Sequence, residues 1–437
     1  MGGSRGNRLL DSLPNGAKVK VRGTVQPTTS SGSAQRSLFG LQEEVAEPLM
    51  LLLAAQLVLF IGVGAVIPTI PLYGKSIGLT GAQNGIVLGA PSLALLLAAQ
   101  SSGRFADQAR KPAMIAGMAV IAVSDLGTAM STSLVPLVLA RLGLGLGRCI
   151  SESGERGMLA DFAKRSPELR GRLLSIQQAV LALGIAVGAP LGGWAVDSYG
   201  AQAAFLCVSA AATATLGLYF LLPETVVSAE SKAEGEAASS AASAGNRWPE
   251  LLAKDEWRGL ALCECGVRFG FAAKIAAIPI LAAATFDGGA SAAGALLSAT
   301  GLAGLIGAPA GGWLTDRAGA RATALISGGL SGAALLMIPI ALHWDSSAAF
   351  GALVLLWGVG AAAQGPALVA LAQQNAPEGS ESEALALPRA AGDGIYILAP
   401  LLLGIASDTV PITGIECAVA GAATLLGGVS LARLVKD

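Results

Sequence analysis

Four ionisable residues, Arg141, Arg148, Glu152 and Glu155, recur along one otherwise apolar segment. At 100° per residue they fall within about 60° of one another on a helix, forming a single stripe. Insertion scales charge about 2.5–3.5 kcal/mol for each ionised residue at the centre of a bilayer. Even with Arg148 and Glu152 partly paired, such a helix inserts less readily than an apolar one. A chain tolerates this where the stripe faces water or a ligand; the other reading is a buried ladder of structural ion pairs. The two carboxylates are also suited to carrying a proton, because low dielectric and an adjacent arginine pull a carboxylate's proton affinity in opposite directions. Glu152, one turn from Arg148 and nearer the middle of the segment, is the favoured carrier, and Glu155, beside Arg156, is the alternative.

Two further segments repeat the theme. Glu264 and Arg268 stand at i, i+4 with Lys274 beyond them, and Arg389 and Asp393 share that spacing with Tyr396 following. These faces are expected to converge on a central cavity. Asp125, Glu416, Gln56, Gln177, Gln178 and Gln364 read as interhelical hydrogen-bonding residues, and His343, near a loop, makes an unconvincing relay. No phosphate-cradling loop, metal-type cluster or nucleophile constellation is present in the sequence. An enzyme, a cofactor and a nucleic-acid partner are therefore not expected.

The elements that position these residues must lie in lipid. The chain of 437 residues is 53% hydrophobic and 13% charged, with a mean hydropathy of +0.63, where soluble domains carry about 25% charge. Apolar runs predict spans near 49–73, 82–104, 112–132, 134–160, 170–197 and 201–222, then near 258–286, 289–315, 321–343, 347–374, 384–408 and 412–434. The fold class is an all-α membrane protein with two bundles of six transmembrane helices, at 48–223 and 258–437. A skeleton of Gly-x-x-x-Asp closes four of the spans, as Gly103–Asp107, Gly193–Asp197, Gly312–Asp316 and Gly404–Asp408, so the chain reads as four similar three-helix units. Of the 28 Lys and Arg, 22 fall on one side of this topology, five lie within spans and Lys75 alone falls on the other side; by the positive-inside rule the basic side is cytoplasmic and holds both termini. Asp107 and Asp316 fall on the basic side with trailing bases. Asp197 and Asp408 fall on the other side without them, so the units are inverted within each half.

Residues 1–47 form a basic tail, rich in Ser and Thr, which reads either as disordered or as an organelle transit peptide suited to a plastid envelope. Residues 224–257 read as a solvated connector. Cys149, Cys207, Cys263, Cys265 and Cys417 lie in apolar stretches without metal-type spacing and read as small packing residues.

From Pro48 onward the chain resembles the major facilitator superfamily of secondary transporters, and within it the drug/proton-antiporter-like branch. Gly103-x-x-Ala106-Asp107-x-x-Arg110-Lys111 is similar to the signature between helices two and three, with Gln108 and Ala109 departing from it. Gly312-x-x-Thr315-Asp316-Arg317 is similar to its echo between helices eight and nine, and Arg141-x-x-x-Gly145-x-Gly147 to the fourth-helix signature. Gly184-x-x-x-Gly188-Ala189-Pro190 is similar to the fifth-helix antiporter signature with its proline one place late, and Pro223-Glu224-Thr225 to the usual close of helix six. The resemblance implies alternating access, with a small organic solute and protons as partners of a monomer in a bilayer. In that scheme Gly103, Asp107, Arg110, Gly188, Pro190, Gly312, Asp316 and Arg317 serve the gates. An uncoupled facilitator, or a receptor on the same scaffold, is the alternative.

Overall fold

Lipid offers no partner for a free amide or carbonyl, so a chain this apolar must satisfy its backbone within helices. The computed structural model of the chain describes residues 43–165, 170–225, 248–377 and 381–435, and no strand occurs among them. Residues 1–42 of the expected tail at 1–47, and most of the expected connector, 226–247, lie outside the described residues.

The first half comprises α1 (Glu43–Ser76), α2 (Gly81–Gln108), α3 (Arg110–Met130), α4 (Leu134–Arg165), α5 (Arg170–Tyr199) and α6 (Ala201–Leu221). The second comprises α7 (Trp248–Leu252), α8 (Asp255–Ala276), α9 (Ile278–Thr285), α10 (Gly289–Ala318), α11 (Ala320–His343), α12 (Ser347–Gln374), α13 (Glu381–Thr409) and α14 (Ile415–Leu434). Eleven of the described helices are long and apolar enough to cross a membrane, or 12 spans if the bent pair α8–α9 counts as one.

That pair corrects the expectation of one continuous seventh span. The helix breaks at Ala277 and turns by 41°, because Pro279 lacks the N–H that would bond to the carbonyl four residues back. The chain is also folded before the expected end of the connector. Leu251 and Trp257 are buried against Leu371, Leu431 and Val435, since indole and leucine side chains so near the bundle gain from leaving water.

Packing repeats between the halves. α3 lies against α4 and α6 as α11 lies against α12 and α14, and α2 lies against α4 as α10 lies against α12. The halves meet through α2 with α13 and α5 with α10, within one compact unit spanning Glu44–Asp437. Glycines set the closest approaches. Gly188 and Gly192 of α5 lie on the Ile61 carbonyl and the Ala65 backbone of α1, where a side chain would collide. In lipid, where apolar burial drives association weakly, small residues of this kind let helices lock by contact.

Candidate functional site

On α4 the two glycines between Arg141 and Arg148 do different jobs. Gly145 rests on the Pro91 carbonyl of α2, and Gly147 faces the Gly117 carbonyl and the Ile121 amide of α3. Wedged between α2 and α3, α4 turns its ionisable stripe into a cavity of ≈ 310 Å³. Arg141, Arg148, Ser151, Glu152 and Glu155 form its polar wall with Asp125 of α3. Leu59, Phe60, Val63, Val66, Ile67 and Ile70 of α1 form an apolar wall, and Ile275 of α8 and Tyr396 of α13 reach it from the second half.

The two carboxylates of the stripe sit in different surroundings. Glu152 accepts hydrogen bonds from Arg148 Nε (3.1 Å) and Nη2 (2.7 Å) at one oxygen and from Arg156 Nη2 (3.0 Å) at the other. Glu155 is 5% exposed. It receives donors from uncharged side chains: Ser151 Oγ at 2.7 Å, Tyr219 OH at 2.9 Å and Gln56 Nε2 at 2.9 Å. No ion pair to Glu155 occurs among the described residues. A buried carboxylate held by neutral donors can take or release a proton without breaking a charge pair; one clamped by two guanidiniums loses both attractions when it protonates. Ser151 and Tyr219 are absent from the sequence-based reading. A lone tyrosine near the end of the apolar α6, and a serine one turn before a glutamate, were the available signals. Gln56, expected only to bond between helices, completes this cradle.

Arg141 stands apart. It is 8% exposed, its nearest carboxylate is Asp125 at 3.9 Å, and neither Nε nor Nη1 has a hydrogen-bond partner among the described residues.

Glu264, Arg268, Arg389 and Asp393 meet one another and do not line this cavity. Arg268 reaches Glu264 and Asp393, each at 3.2 Å, and Arg389 reaches Asp393 at 3.9 Å, joining α8 to α13. Lys274 lies 6.0 Å from the centre of the Trp357 ring, without a carboxylate partner among the described residues.

The four Gly-x-x-x-Asp copies divide by face. At the face away from the basic loops, Asp408 Oδ1 and Oδ2 accept the amides of Gly81 (2.7 Å) and Ala82 (2.8 Å), which begin α2. Asp197 accepts the amides of Ala290 (3.1 Å) and Ser291 (2.8 Å), which begin α10. Each carboxylate thus caps a helix of the other half, where free amides and the helix dipole favour an anion. Gly404 lies on the Gly81 carbonyl and Gly193 on the Ala290 carbonyl. At the basic face, Asp107 pairs with Arg110 at 2.7 Å, and Arg110 Nε reaches Asp161 at 3.4 Å, all within the first half. Arg317 stacks 4.1 Å from the centre of the Trp313 ring, and Asp316 is exposed. A Cβ added at Gly103 or Gly312 would meet nothing within 4 Å. Pro190 lies inside the continuous helix α5.

The chain is 27% identical over 140 residues to the quinolone resistance protein NorA of Staphylococcus aureus, covering 32% of this chain and 36% of that protein. It is 25% identical over 179 residues to multidrug resistance protein 2 of Bacillus subtilis, covering 40% and 44%. The matches therefore span less than half the length of either relative. Both are drug-resistance proteins, in keeping with the branch expected from the motifs. Among solved structures, a bacterial homologue of the iron transporter ferroportin in an inward-facing state superposes with a TM-score of 0.69 at 18% identity, covering 89% of this chain and 98% of that one. A bacterial homologue of the human lysosomal transporter Spinster, inward-facing and unoccupied, gives 0.70 at 14% identity, covering 90% and 96%. The Major Facilitator Superfamily model matches residues 52–435. With its helices, inverted units and clasped helix ends, this integral multi-pass membrane protein belongs to the Major Facilitator Superfamily.

Proposed function

We propose that the protein is a secondary active transporter that moves a small organic solute by alternating access, in exchange for protons. The observation that carries this reading is the one-sided closure. Two aspartate clasps join the halves at the face away from the basic loops, where Gly404 and Gly193 press on the backbone of the other half, whereas a Cβ added at the repeat-related Gly103 or Gly312 of the basic face would meet nothing within 4 Å. A cavity between halves joined at one end is what a carrier needs when it opens to one side at a time. On this reading the six-helix halves at 48–223 and 258–437 rock against each other in a monomer. The basic face is the cytoplasmic-equivalent one, Asp107 and Asp316 serve the gate there, and the conformation described opens toward it.

For proton coupling we favour Glu155 over Glu152. Its neutral donors support gain and loss of a proton, whereas Glu152 is committed to Arg148 and Arg156. Uptake of a labelled solute into proteoliposomes, with and without a pH gradient, tests the reading. Gradient-driven accumulation is expected. Flux indifferent to the gradient would replace it with a facilitator, and saturable binding without flux with a receptor.

A further inference from the structure

We infer that the α4 cavity selects amphipathic solutes whose polar head is a hydrogen-bond acceptor, a carbonyl or carboxylate, and that Arg141 is the residue that recognises it. The inference deepens the transport reading by treating this cavity as the solute site. It rests on which hydrogen-bonding capacity the cavity has left.

On the acceptor side little remains. Every oxygen of Glu152 and Glu155 already receives a hydrogen bond, from Arg148 and Arg156 for the first and from Ser151, Tyr219 and Gln56 for the second. An ammonium head would be left with the second lone pairs of those oxygens or with Asp125, which accepts no hydrogen bond among the described residues but lies 3.9 Å from the Arg141 guanidinium, so that the ammonium would stand against a like charge. On the donor side, Arg141 is nine-tenths buried, lines the cavity, and keeps Nε and Nη1 without partners among the described residues. Asp125, at 3.9 Å, offsets the charge without making a hydrogen bond. Buried donors left unmet are costly, and a guanidinium cannot shed its proton to escape the cost. A ligand oxygen supplies what the protein withholds. The opposite wall, with Phe60, Val63 and Ile67 of α1, accepts a flat apolar body, and the volume of ≈ 310 Å³ sits at the lower end of small-molecule sites.

The test is binding of three probes that share one apolar body, 2-naphthamide, 2-naphthoate and 2-naphthylmethylammonium, to the purified full chain in lipid nanodiscs, with no flux measured. The amide and the carboxylate are expected to bind about tenfold or more tighter than the ammonium. Arg141→Gln should level the three, and Arg141→Lys should restore the carboxylate preference. Asp125→Asn should raise carboxylate affinity several-fold by removing the competing charge, and this readout stands if Arg141→Gln fails to fold. The inference is overturned if the ammonium binds as tightly as the amide, if the ranking survives Arg141→Gln, or if none of the three binds. A protein that binds as expected but carries nothing would retain this inference and lose the transport reading.

Discussion

Asp408 and Gly81, 327 positions apart, are joined by a 2.7 Å hydrogen bond from the Gly81 amide to Asp408 Oδ1. At the start of α2, Thr80 and Gln83 form a capping box: Thr80 Oγ1 accepts the Gln83 amide, and Gln83 Oε1 accepts the Thr80 amide. The amides of Gly81 and Ala82 are left over, and a carboxylate from the opposite half takes both. A helix end completed by the other half ties local helix chemistry to the position of two bundles.

Removing both such caps should open that face. In a cysteine-free background, Asp197→Asn with Asp408→Asn is expected to increase several-fold the labelling of a cysteine placed at Leu88, in the cavity wall, by an impermeant thiol reagent applied from the clasped side. Unchanged labelling would mean that packing alone holds the face shut.

Glycines at related repeat positions should respond in opposite ways. A Cβ at Gly404 falls on the Gly81 carbonyl, whereas one at Gly312 meets nothing within 4 Å. Gly404→Ala is expected to lower the detergent-state Tm by several degrees, and Gly312→Ala to leave it within about a degree. Equal shifts would contradict the assignment of clasped and open faces.

At the basic face, Asp107→Asn and Asp316→Asn should slow transport while leaving solute affinity largely intact, because they alter exchange between conformations and not the cavity. The comparison is Kd by equilibrium binding against turnover in proteoliposomes. Affinity lost in parallel with transport would remove the gate role.

Glu155→Gln should abolish pH-driven accumulation yet keep solute exchange, since exchange returns the carrier loaded and requires no proton release. Glu152→Gln, which frees Arg148 and Arg156 from a carboxylate they share, should instead reduce the Tm and the exchange rate together. Full pH-driven accumulation by Glu155→Gln would return Glu152 to the role of carrier.

How much of this was legible along the chain depends on the range of the forces involved. The spans, the fourfold Gly-x-x-x-Asp repeat and the stripe on α4 follow from hydropathy and helical period, which act between near neighbours in sequence. The stripe does face a cavity, and the pairing of Arg148 with Glu152 at i, i+4 is intrahelical. The break at Ala277 was written in Pro279, although a continuous apolar run masked it.

Other relationships belong to the tertiary structure alone. Long side chains choose partners after helices dock, so Arg268 turned to Asp393 on α13 and not toward the cavity. Glu155 met Tyr219 and Gln56, 64 and 99 positions away. The four aspartates look alike in sequence. Which pair caps foreign helices depends on which face of the two halves is closed, a rigid-body choice that no local pattern encodes. Composition and periodicity determined that this chain is a repeated helical membrane protein with charge placed inside it. The docking of two halves decided which of those charges are spent on one another and which remain for a proton or a solute.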